Sequence, residues 1–347
     1  MRIRLCHYSR PCVRALNTAA LAALTGFVLT ACQQDQPTSP GSANTDGEEV
    51  IDFELTPAGA AAAKSSRIVG THRLPTVPLR ELAISKINAS VSAVDNSPLD
   101  LTNHGGAVVK AARNYVVYVN CVSPETPVTC WGSGTLAPAN FLRDLNASDF
   151  IRLVNEYTKA DAKLNFPVTS MRTTATFAGG NRATLQEIQH IVSDAVTTAG
   201  GASGYTAIYH VFLPKGTEVC IVPGNCYSPS NPASWTFCAF HGSVNFGASQ
   251  HVLFTVEPYQ GVAGCQQPGQ SPHGLIDATA STLSHELFET ITDPDFDGWW
   301  NSLFGFEMSD MCTTFGANVK LNLREYFLQS EYSNTKHMCT SQAPGVV

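Results

Sequence analysis

The residues of this sequence best suited to chemistry are His285, Glu286 and Glu289, which lie within five consecutive positions. Because an α-helix has about 3.6 residues per turn, His285 and Glu289 would share one face, with Glu286 about 100° around the axis. In the H-E-x-x-H pattern of zinc peptidases, two histidines bind the metal and the Glu is general base to its water. Here the fifth residue is Glu, which predicts a His/carboxylate metal site with Glu286 as catalytic base.

Zn²⁺ is the cofactor that this pattern predicts, because catalytic zinc sites include sets of two histidines and one Glu. A carboxylate is a harder ligand than imidazole and also admits other metals. The alternative on these residues alone is an amphipathic helix without a metal. Leu283, Leu287, Phe288 and Ile291 would then face the core and the acidic side chains would face solvent.

A catalytic metal needs about three protein ligands and an open position, so further ligands are required. Glu307 and Asp310 follow the motif, in a spacing that resembles the thermolysin-like arrangement of a distal Glu ligand and an acid that orients a ligand histidine. By that analogy Glu307 is the third ligand and Asp310 the orienting acid, although the sequence is equally consistent with the exchanged roles. His241 and Asp293 are further candidates to line a cleft at this site.

A calcium loop is a competing interpretation of the acids that follow the motif. Residues Asp293 to Gly298 read D-P-D-F-D-G, which matches the first half of a calcium loop with its turn-forming Gly. The twelfth position, which should be a bidentate Glu, is Phe304. Ca²⁺ is therefore an alternative cofactor, and a simple acidic turn at the end of a helix is the other alternative.

The elements that would position these residues follow from periodicity and capping signals. The motif helix is predicted to begin near Asp277 and to stop at Pro294. The other predicted elements are strands over 114–122, 207–213 and 251–256, a helix from Asn146 or Ser148 through Tyr157, and a helix over 184–198. This order predicts an α/β (α+β) fold, a zincin-like mixed sheet with a late metal-site helix, stabilised by disulfides.

The N-terminus has the pattern of an export signal. Four arginines precede an apolar run that ends in Leu29-Thr30-Ala31-Cys32, which predicts a lipoprotein signal peptide over 1–31 and lipidation of Cys32. Residues 32–100 are rich in Pro, Ser, Ala and acids, which predicts a flexible tether, with brief strands allowed near Ile51–Leu55 or Leu82–Val91. Residues 101–347 would form a single globular domain, exported and held by lipid to the cell envelope, at the outer membrane or cell surface.

Charge and cysteine content agree with export. Without the four signal arginines, 17 basic residues (21 minus 4) face 28 acidic ones, a net charge of −11, which argues against nucleic acid as a partner. Eight cysteines follow Cys32, an even number that suits a disulfide framework in an oxidising compartment. No C-x-x-C pair occurs to suggest zinc ribbons. The short-range pairs are Cys121–Cys130, Cys220–Cys226, Cys238–Cys265 and Cys312–Cys339.

Five motifs together resemble the EXORDIUM, or phosphate-induced protein, family. They are His104-Gly105-Gly106-Ala107-Val108, Cys238-x-x-His241, Ser284-His285-Glu286-x-x-Glu289-x-x-Thr292-Asp293-Pro294, Glu307-x-x-Asp310-x-Cys312, and Tyr326 to Asn334 before Cys339. The resemblance spans roughly residues 100–343. It implies a secreted, wall-associated protein, but this family has no established biochemical activity and therefore supplies no reaction.

The sequence therefore predicts a lipid-anchored extracytoplasmic metallohydrolase, most simply a zinc-dependent peptidase acting on a peptide or cell-wall substrate. The alternative is a non-catalytic cell-surface protein that binds wall polysaccharide or a protein partner, with or without structural Ca²⁺. In that alternative Trp235, Trp299 and Trp300 would offer an aromatic surface for sugars.

Overall fold

The computed structural model describes residues 50–57, 63–69, 97–121, 137–231, 236–247, 249–262, 264–265 and 274–345. All of them belong to one compact unit, Gly41–Val347. The predicted signal peptide and the lipidation site Cys32 lie outside the described residues.

Strands and helices alternate along much of the described chain. The strands are β1 Val50–Asp52, β2 Ala63–Val69, β3 Thr102–Asn103, β4 Arg113–Val119, β5 Val168–Thr173, β6 Arg182–Thr184, β7 Gly204–Phe212, β8 Glu218–Val222, β9 Asn225–Tyr227, β10 Phe240–Phe246, β11 Gln250–Glu257, β12 Trp299–Trp300, β13 Gly316–Lys320, β14 Glu325–Gln329, β15 Glu331–Ser333 and β16 Met338–Thr340. The α-helices are α1 Ala137–Asn146, α2 Asn155–Thr158, α3 Leu185–Thr198 and α4 Leu275–Thr292. Short 3₁₀ helices span Ser97–Leu99, Phe150–Val154 and Asp310–Cys312.

A seven-stranded mixed sheet forms the centre of the fold, in the order β1-β5-β4-β7-β11-β10-β2. The strands from β1 to β11 in this order pair in parallel, and β10 runs antiparallel to both of its neighbours. The remaining strands form small two- and three-stranded sheets. The mixed α/β class predicted from the sequence is therefore confirmed.

Side chains of the central strands alternate between two cores, as the period of two in a strand requires. On β4, Val116 and Tyr118 belong to one core, and Tyr115, Val117 and Val119 belong to the other. The first core includes the apolar residues of α1 and α4, and the second includes those of α3. The sheet is thus covered by helices on both faces.

The helix α4 lies on the first face, against β10, β11 and β14. The face of the sheet that contacts α4 carries polar side chains. Because Val252, Phe254 and Val256 of β11 pack in the second core, the intervening Thr255 and Glu257 face the α4 side. The same alternation on β10 directs His241 and Ser243 toward α4. A buried polar layer therefore lies between the sheet and the motif helix.

Several predicted elements are observed with shifted ends. Strands β4, β7 and β11 and helix α3 match their predictions to within a few residues, and Thr184 caps α3 in a capping box with Glu187. The motif helix begins at Leu275 rather than Asp277, and Gly274 precedes it without a side-chain cap. It ends at Thr292, before Pro294.

The predicted helix from Asn146 or Ser148 to Tyr157 is wrong in kind. The chain instead forms a 3₁₀ helix over Phe150–Val154 and a single α-turn, α2. The longer helix α1 precedes it and was not predicted. Residues three apart lie on the same side of a 3₁₀ helix as well as of an α-helix. The apolar spacing over these eight residues therefore does not distinguish the two helix types.

The domain begins earlier than the predicted boundary at residue 101. Strand β1 pairs with β5, and β2 pairs with β10, so parts of the predicted tether belong to the central sheet. Ile51, Phe53 and Leu55 pack against the second core. The composition of residues 32–100 as a whole hides this short alternation of apolar residues. The strands that pair with β1 and β2 are also distant in sequence, so the boundary was placed too late.

Three of the predicted disulfides are present: Cys220–Cys226, Cys238–Cys265 and Cys312–Cys339. Cys130, the predicted partner of Cys121, lies outside the described residues. Disulfides indicate an oxidising, extracytoplasmic environment. Among the helices of the described chain, none combines the length and apolar character needed to cross a bilayer.

Candidate metal centre

The carboxylates of the motif helix are buried rather than solvated. Every residue of α4 from Asp277 to Thr292 is buried, and His285, Glu286 and Glu289 are at most 1% exposed. The predicted alternative of a solvated acidic face on this helix is therefore wrong. Burial of ionised carboxylates costs several kcal/mol each unless hydrogen bonds or a cation compensate.

The first group of potential ligands is the His285 triad, His285, Glu289 and Asp310. The i,i+4 spacing brings Nε2 of His285 to 3.2 Å from Oε1 of Glu289, and Oδ1 of Asp310 lies 3.6 Å from the same nitrogen. Two ligands of one tetrahedral zinc, each about 2.1 Å from it, lie about 3.4 Å apart. The separations in this triad therefore suit a metal ion.

The other ring nitrogen of His285 faces Gln329 of β14. Its Nδ1 lies 3.1 Å from the amide nitrogen and 3.4 Å from Oε1 of Gln329, and the same amide donates to the backbone oxygen of Ser309. A histidine that ligates through Nε2 carries its proton on Nδ1 and needs an acceptor there. Gln329 is thus placed to hold the ring with Nε2 directed at Glu289.

The second group is the His241 triad, His241, Glu286 and Glu289. From β10, Nδ1 of His241 lies 3.3 Å from Oε2 of Glu286 and 3.6 Å from Oε2 of Glu289. The three ligand atoms lie within 4.8 Å of one another, as do those of the His285 triad. Glu289 therefore belongs to both triads, and its two carboxylate oxygens face different histidines.

Glu307 lies outside both triads, on the far edge of the His241 ring. Its Oε1 is 3.5 Å from Nε2 of His241, while Asp310 approaches His285. The geometry therefore favours the exchanged roles, with Asp310 as a ligand and Glu307 as the acid that orients a ligand histidine. Asp310 also provides the most open side of the centre, because its side chain is 19% exposed and that of His285 is 1% exposed.

Burial and mutual repulsion set the protonation of these groups. Burial raises the pKa of Glu286 and of Glu307 well above the usual range, and raises the pKa of Asp310 to about 7. Burial opposes the ionisation of Glu289, but the charge and hydrogen bond of His285, together with His241 and the backbone N–H of Asp310, outweigh burial and lower the Glu289 pKa. Burial lowers the pKa of His241 to about 4.

No lysine or arginine in the described ranges forms an ion pair with Glu286, Glu289, Glu307 or Asp310. Their ionic contacts are with His241 and His285 alone. The protein therefore supplies too little positive charge to ionise all four buried carboxylates. A bound divalent cation would supply that charge, and a ligand set of imidazole and carboxylate suits Zn²⁺ and other divalent transition metals.

The acids of the predicted calcium loop are engaged by protein donors. Asp293 accepts the backbone N–H of Gly298 at 2.6 Å, and burial raises its pKa to about 7. Asp295 accepts the hydroxyls of Tyr205 and Ser243, each at 2.6 Å. These contacts favour an acidic turn that ends α4, and they place Asp293 at the end of the helix rather than in either triad.

Two other candidate sites receive less support from the structure. Trp300 stacks on His104 with ring centroids 3.4 Å apart, and Trp299 contacts Tyr157 with the two ring planes 69° apart, so each indole is already in contact with another ring. Trp235 lies outside the described residues. A further cluster of Glu218, Cys220 and Cys226 has the proximity of a metal site, but its cysteines form a disulfide and lack free thiolates.

Sequence reasoning left two members of this centre without a definite role. His241 was predicted to line a cleft or to bind metal without a defined place in the centre, because nothing in its own segment shows that β10 lies under α4. Gln329 was not singled out at all, since a lone glutamine in a strand carries no chemical signal. The alternation of His241, Ser243 and Asn245 with apolar neighbours on β10 was the available signal for a polar layer.

Comparison with models of known protein families, with curated proteins and with solved structures identifies no match, so the interpretation of this centre rests on its own geometry.

Proposed function

We propose that this protein is an extracytoplasmic metal-dependent hydrolase, with the His285 triad holding a divalent cation. The observation that carries the proposal is the meeting of His285, Glu289 and Asp310 at ligand distances in a buried centre where no described lysine or arginine pairs with the carboxylates. A cation there would polarise a substrate carbonyl and lower the pKa of a water molecule. Zn²⁺ is the first cation to test.

The roles of the surrounding side chains follow from their positions. Gln329 orients His285, and Asp310 leaves a partly exposed side through which water and a substrate group would enter. Glu286 and Glu307 are carboxyl groups with raised pKa at the centre, and carboxyl groups of raised pKa can act as general acids or bases. Hydrolysis adds the water oxygen to the acyl carbon, breaks the bond to the leaving group and delivers a proton to that group.

A peptide or another acyl-linked polymer of the cell wall is the proposed substrate class, and attachment to the envelope through lipid on Cys32 remains part of the proposal. The five ordered motifs support membership in the EXORDIUM family, which is likewise proposed. Binding of polysaccharide without catalysis is less favoured, because Trp299 and Trp300 are packed against other rings.

The test combines metal analysis with a substrate screen of the purified chain. We expect bound zinc after purification, hydrolysis of a fluorogenic peptide library or of isolated cell wall, and loss of that hydrolysis on chelation. His285→Gln and Asp310→Asn should lose both metal and hydrolysis, whereas Asp297→Asn, at an exposed position, should keep both. A zinc-loaded chain without activity on either substrate would favour the non-catalytic alternative, and a chain that binds no divalent cation would overturn the proposal.

A further inference from the structure

We infer that the centre holds two divalent cations, one in each triad, with Glu289 as the bridging ligand. The inference rests on the proposed function for the first cation and adds a second at His241, Glu286 and Glu289.

The two carboxylate oxygens of Glu289 face different histidines. Oε1 faces His285 at 3.2 Å, and Oε2 faces His241 at 3.6 Å. A carboxylate bound to one cation would direct one or both oxygens at a single point. A carboxylate whose two oxygens face two different histidines instead suits a bridge, in which each oxygen binds a different metal. Two-metal hydrolytic sites hold their ions about 3.5–4 Å apart, a spacing that one bridging carboxylate spans.

Two buried carboxylate oxygens of the His241 triad lack hydrogen-bond partners among the described residues. Oε2 of Glu289 and Oε1 of Glu286 are completely buried and accept no hydrogen bond from the described part of the chain. By contrast, Oε1 of Glu289 accepts the backbone N–H of Asp310 at 3.1 Å. Buried polar atoms are usually satisfied, so the unpartnered Oε2 of Glu289, 3.6 Å from Nδ1 of His241, points to a missing ligand. A cation between Glu289 and His241 supplies it.

The net charge of the ligands in the two triads also favours a second cation. Glu286, Glu289 and Asp310 contribute three negative charges when ionised, and both histidines are neutral when they ligate a metal. One divalent cation leaves this centre with a net charge of −1 in a buried environment. Two cations and one hydroxide ion bring the net charge to zero, since four positive charges meet four negative ones. A buried centre favours the neutral arrangement.

The orientation of His241 agrees with ligation through Nδ1. Its other nitrogen, Nε2, lies 3.5 Å from Oε1 of Glu307, and neither of these two buried atoms has a hydrogen bond within the described residues. With Nδ1 bound to a cation, Nε2 would carry the proton, and Glu307 lies beside it as a potential acceptor. In this arrangement Glu286 would hold the second cation instead of acting as base, and the proton of a bound water would pass to solvent at the exposed side of Asp310.

Metal stoichiometry tests the inference without reference to activity. The purified chain is stripped with a chelator and titrated with Zn²⁺, and a parallel sample is loaded with Mn²⁺ for electron paramagnetic resonance. We expect saturation at two Zn²⁺ per chain and a spin-coupled Mn²⁺ pair. Glu286→Gln should bind one Zn²⁺ and show an uncoupled Mn²⁺ spectrum.

Asp144→Asn is the matched control, because Asp144 is a buried carboxylate that lies outside both triads and contacts Arg324 and Tyr326. It should keep two cations. Saturation of the wild-type chain at one cation would overturn the inference even where the variants do not fold. Full metal content in Glu286→Gln with loss of turnover would also overturn it and return Glu286 to the role of base.

The two proposals fail separately. A chain that binds two cations and hydrolyses neither peptides nor cell wall contradicts the proposed function alone. A chain that hydrolyses either substrate with one cation contradicts the two-cation centre alone.

Discussion

Nδ1 of His241 lies 3.3 Å from Oε2 of Glu286, although the two residues are 45 positions apart in the sequence. The histidine comes from the antiparallel strand β10 and the carboxylate from α4, so their contact fixes the helix over the polar face of the sheet. Both side chains are almost completely buried. The contact therefore places chemistry in the core of the domain, where charge must be balanced locally.

Removal of metal should destabilise the fold. A cation that binds only the folded chain stabilises it by about 2.7 kcal/mol at a concentration 100 times its Kd. Chelation should accordingly lower the melting temperature by several degrees in differential scanning fluorimetry, and Zn²⁺ should restore it. Glu289→Gln removes the shared carboxylate, so its melting temperature should respond to neither reagent. An equal chelator effect in that variant would place the stabilising cation elsewhere.

His210 should make stability depend on pH. It is completely buried on β7, with Nδ1 at 3.0 Å from Oγ1 of Thr255 and Nε2 at 3.1 Å from Oδ1 of Asn114. Burial lowers its pKa to about 3, from an ordinary value of 6.5. Below pH 6.5 the unfolded chain gains a proton that the folded chain does not bind. Stability contributed by neutral His210 is thus full above pH 6.5 and falls with pH toward 3.

Urea denaturation of His210→Gln measures this contribution. Each pH unit between about 6 and 4 should cost the wild-type chain about 1.4 kcal/mol more than the variant, because the glutamine does not titrate. A chelator is present throughout, so that proton competition at the metal ligands does not contribute. Parallel pH profiles for the two chains would show that His210 is not the group responsible.

Asp295 should anchor the turn after α4 to three strands. It accepts hydrogen bonds from Tyr205 and Ser243 and pairs with Nε2 of His251 at 3.2 Å. Burial opposes its ionisation, but these partners, His251 first, outweigh burial and hold its pKa well below 3.8. Asp295→Asn should therefore lower the free energy of unfolding by about 1–3 kcal/mol near pH 7.

The pH dependence of that loss follows from the lowered pKa. The ionised Asp295 contributes stability above about pH 4, and this contribution declines as pH falls further, because the carboxyl group in the unfolded chain then binds a proton that it does not bind in the folded chain. The difference between wild type and Asp295→Asn should shrink below pH 4 in chemical denaturation. Asp297→Asn, at an exposed neighbour, is the comparison and should change stability by no more than about 0.5 kcal/mol.

The Cys312–Cys339 disulfide should contribute more than the Cys220–Cys226 disulfide. Its cysteines are 27 residues apart, against 6 for the other pair. The loop-entropy relation gives about 3.5 kcal/mol for the longer loop and about 2 kcal/mol for the shorter one. Cys312 also ends the 3₁₀ helix that begins at Asp310, so a Cys312→Ser/Cys339→Ser variant should bind Zn²⁺ more weakly. Unchanged Zn²⁺ affinity would show that Asp310 is positioned without the disulfide.

Local patterns predicted much of this molecule. The i,i+4 spacing places His285 beside Glu289 in any α-helix, and the Thr184 and Glu187 capping box sets the start of α3. β-Branched and aromatic runs identified β4, β7 and β11. These predictions held because each depends on hydrogen bonds and steric preferences within one or two turns of chain.

Only the tertiary structure decided what the motif helix contacts. The register of β10 in the sheet brings His241 under α4, and the hairpin β13–β14 brings Gln329 against His285. The burial of Glu286 and Glu289 follows from the same packing and contradicts the alternative of a solvated acidic face. Sequence spacing determines which side chains share a helix face. It does not determine what that face meets, because packing depends on side chains from distant segments filling the same volume and balancing the same charge.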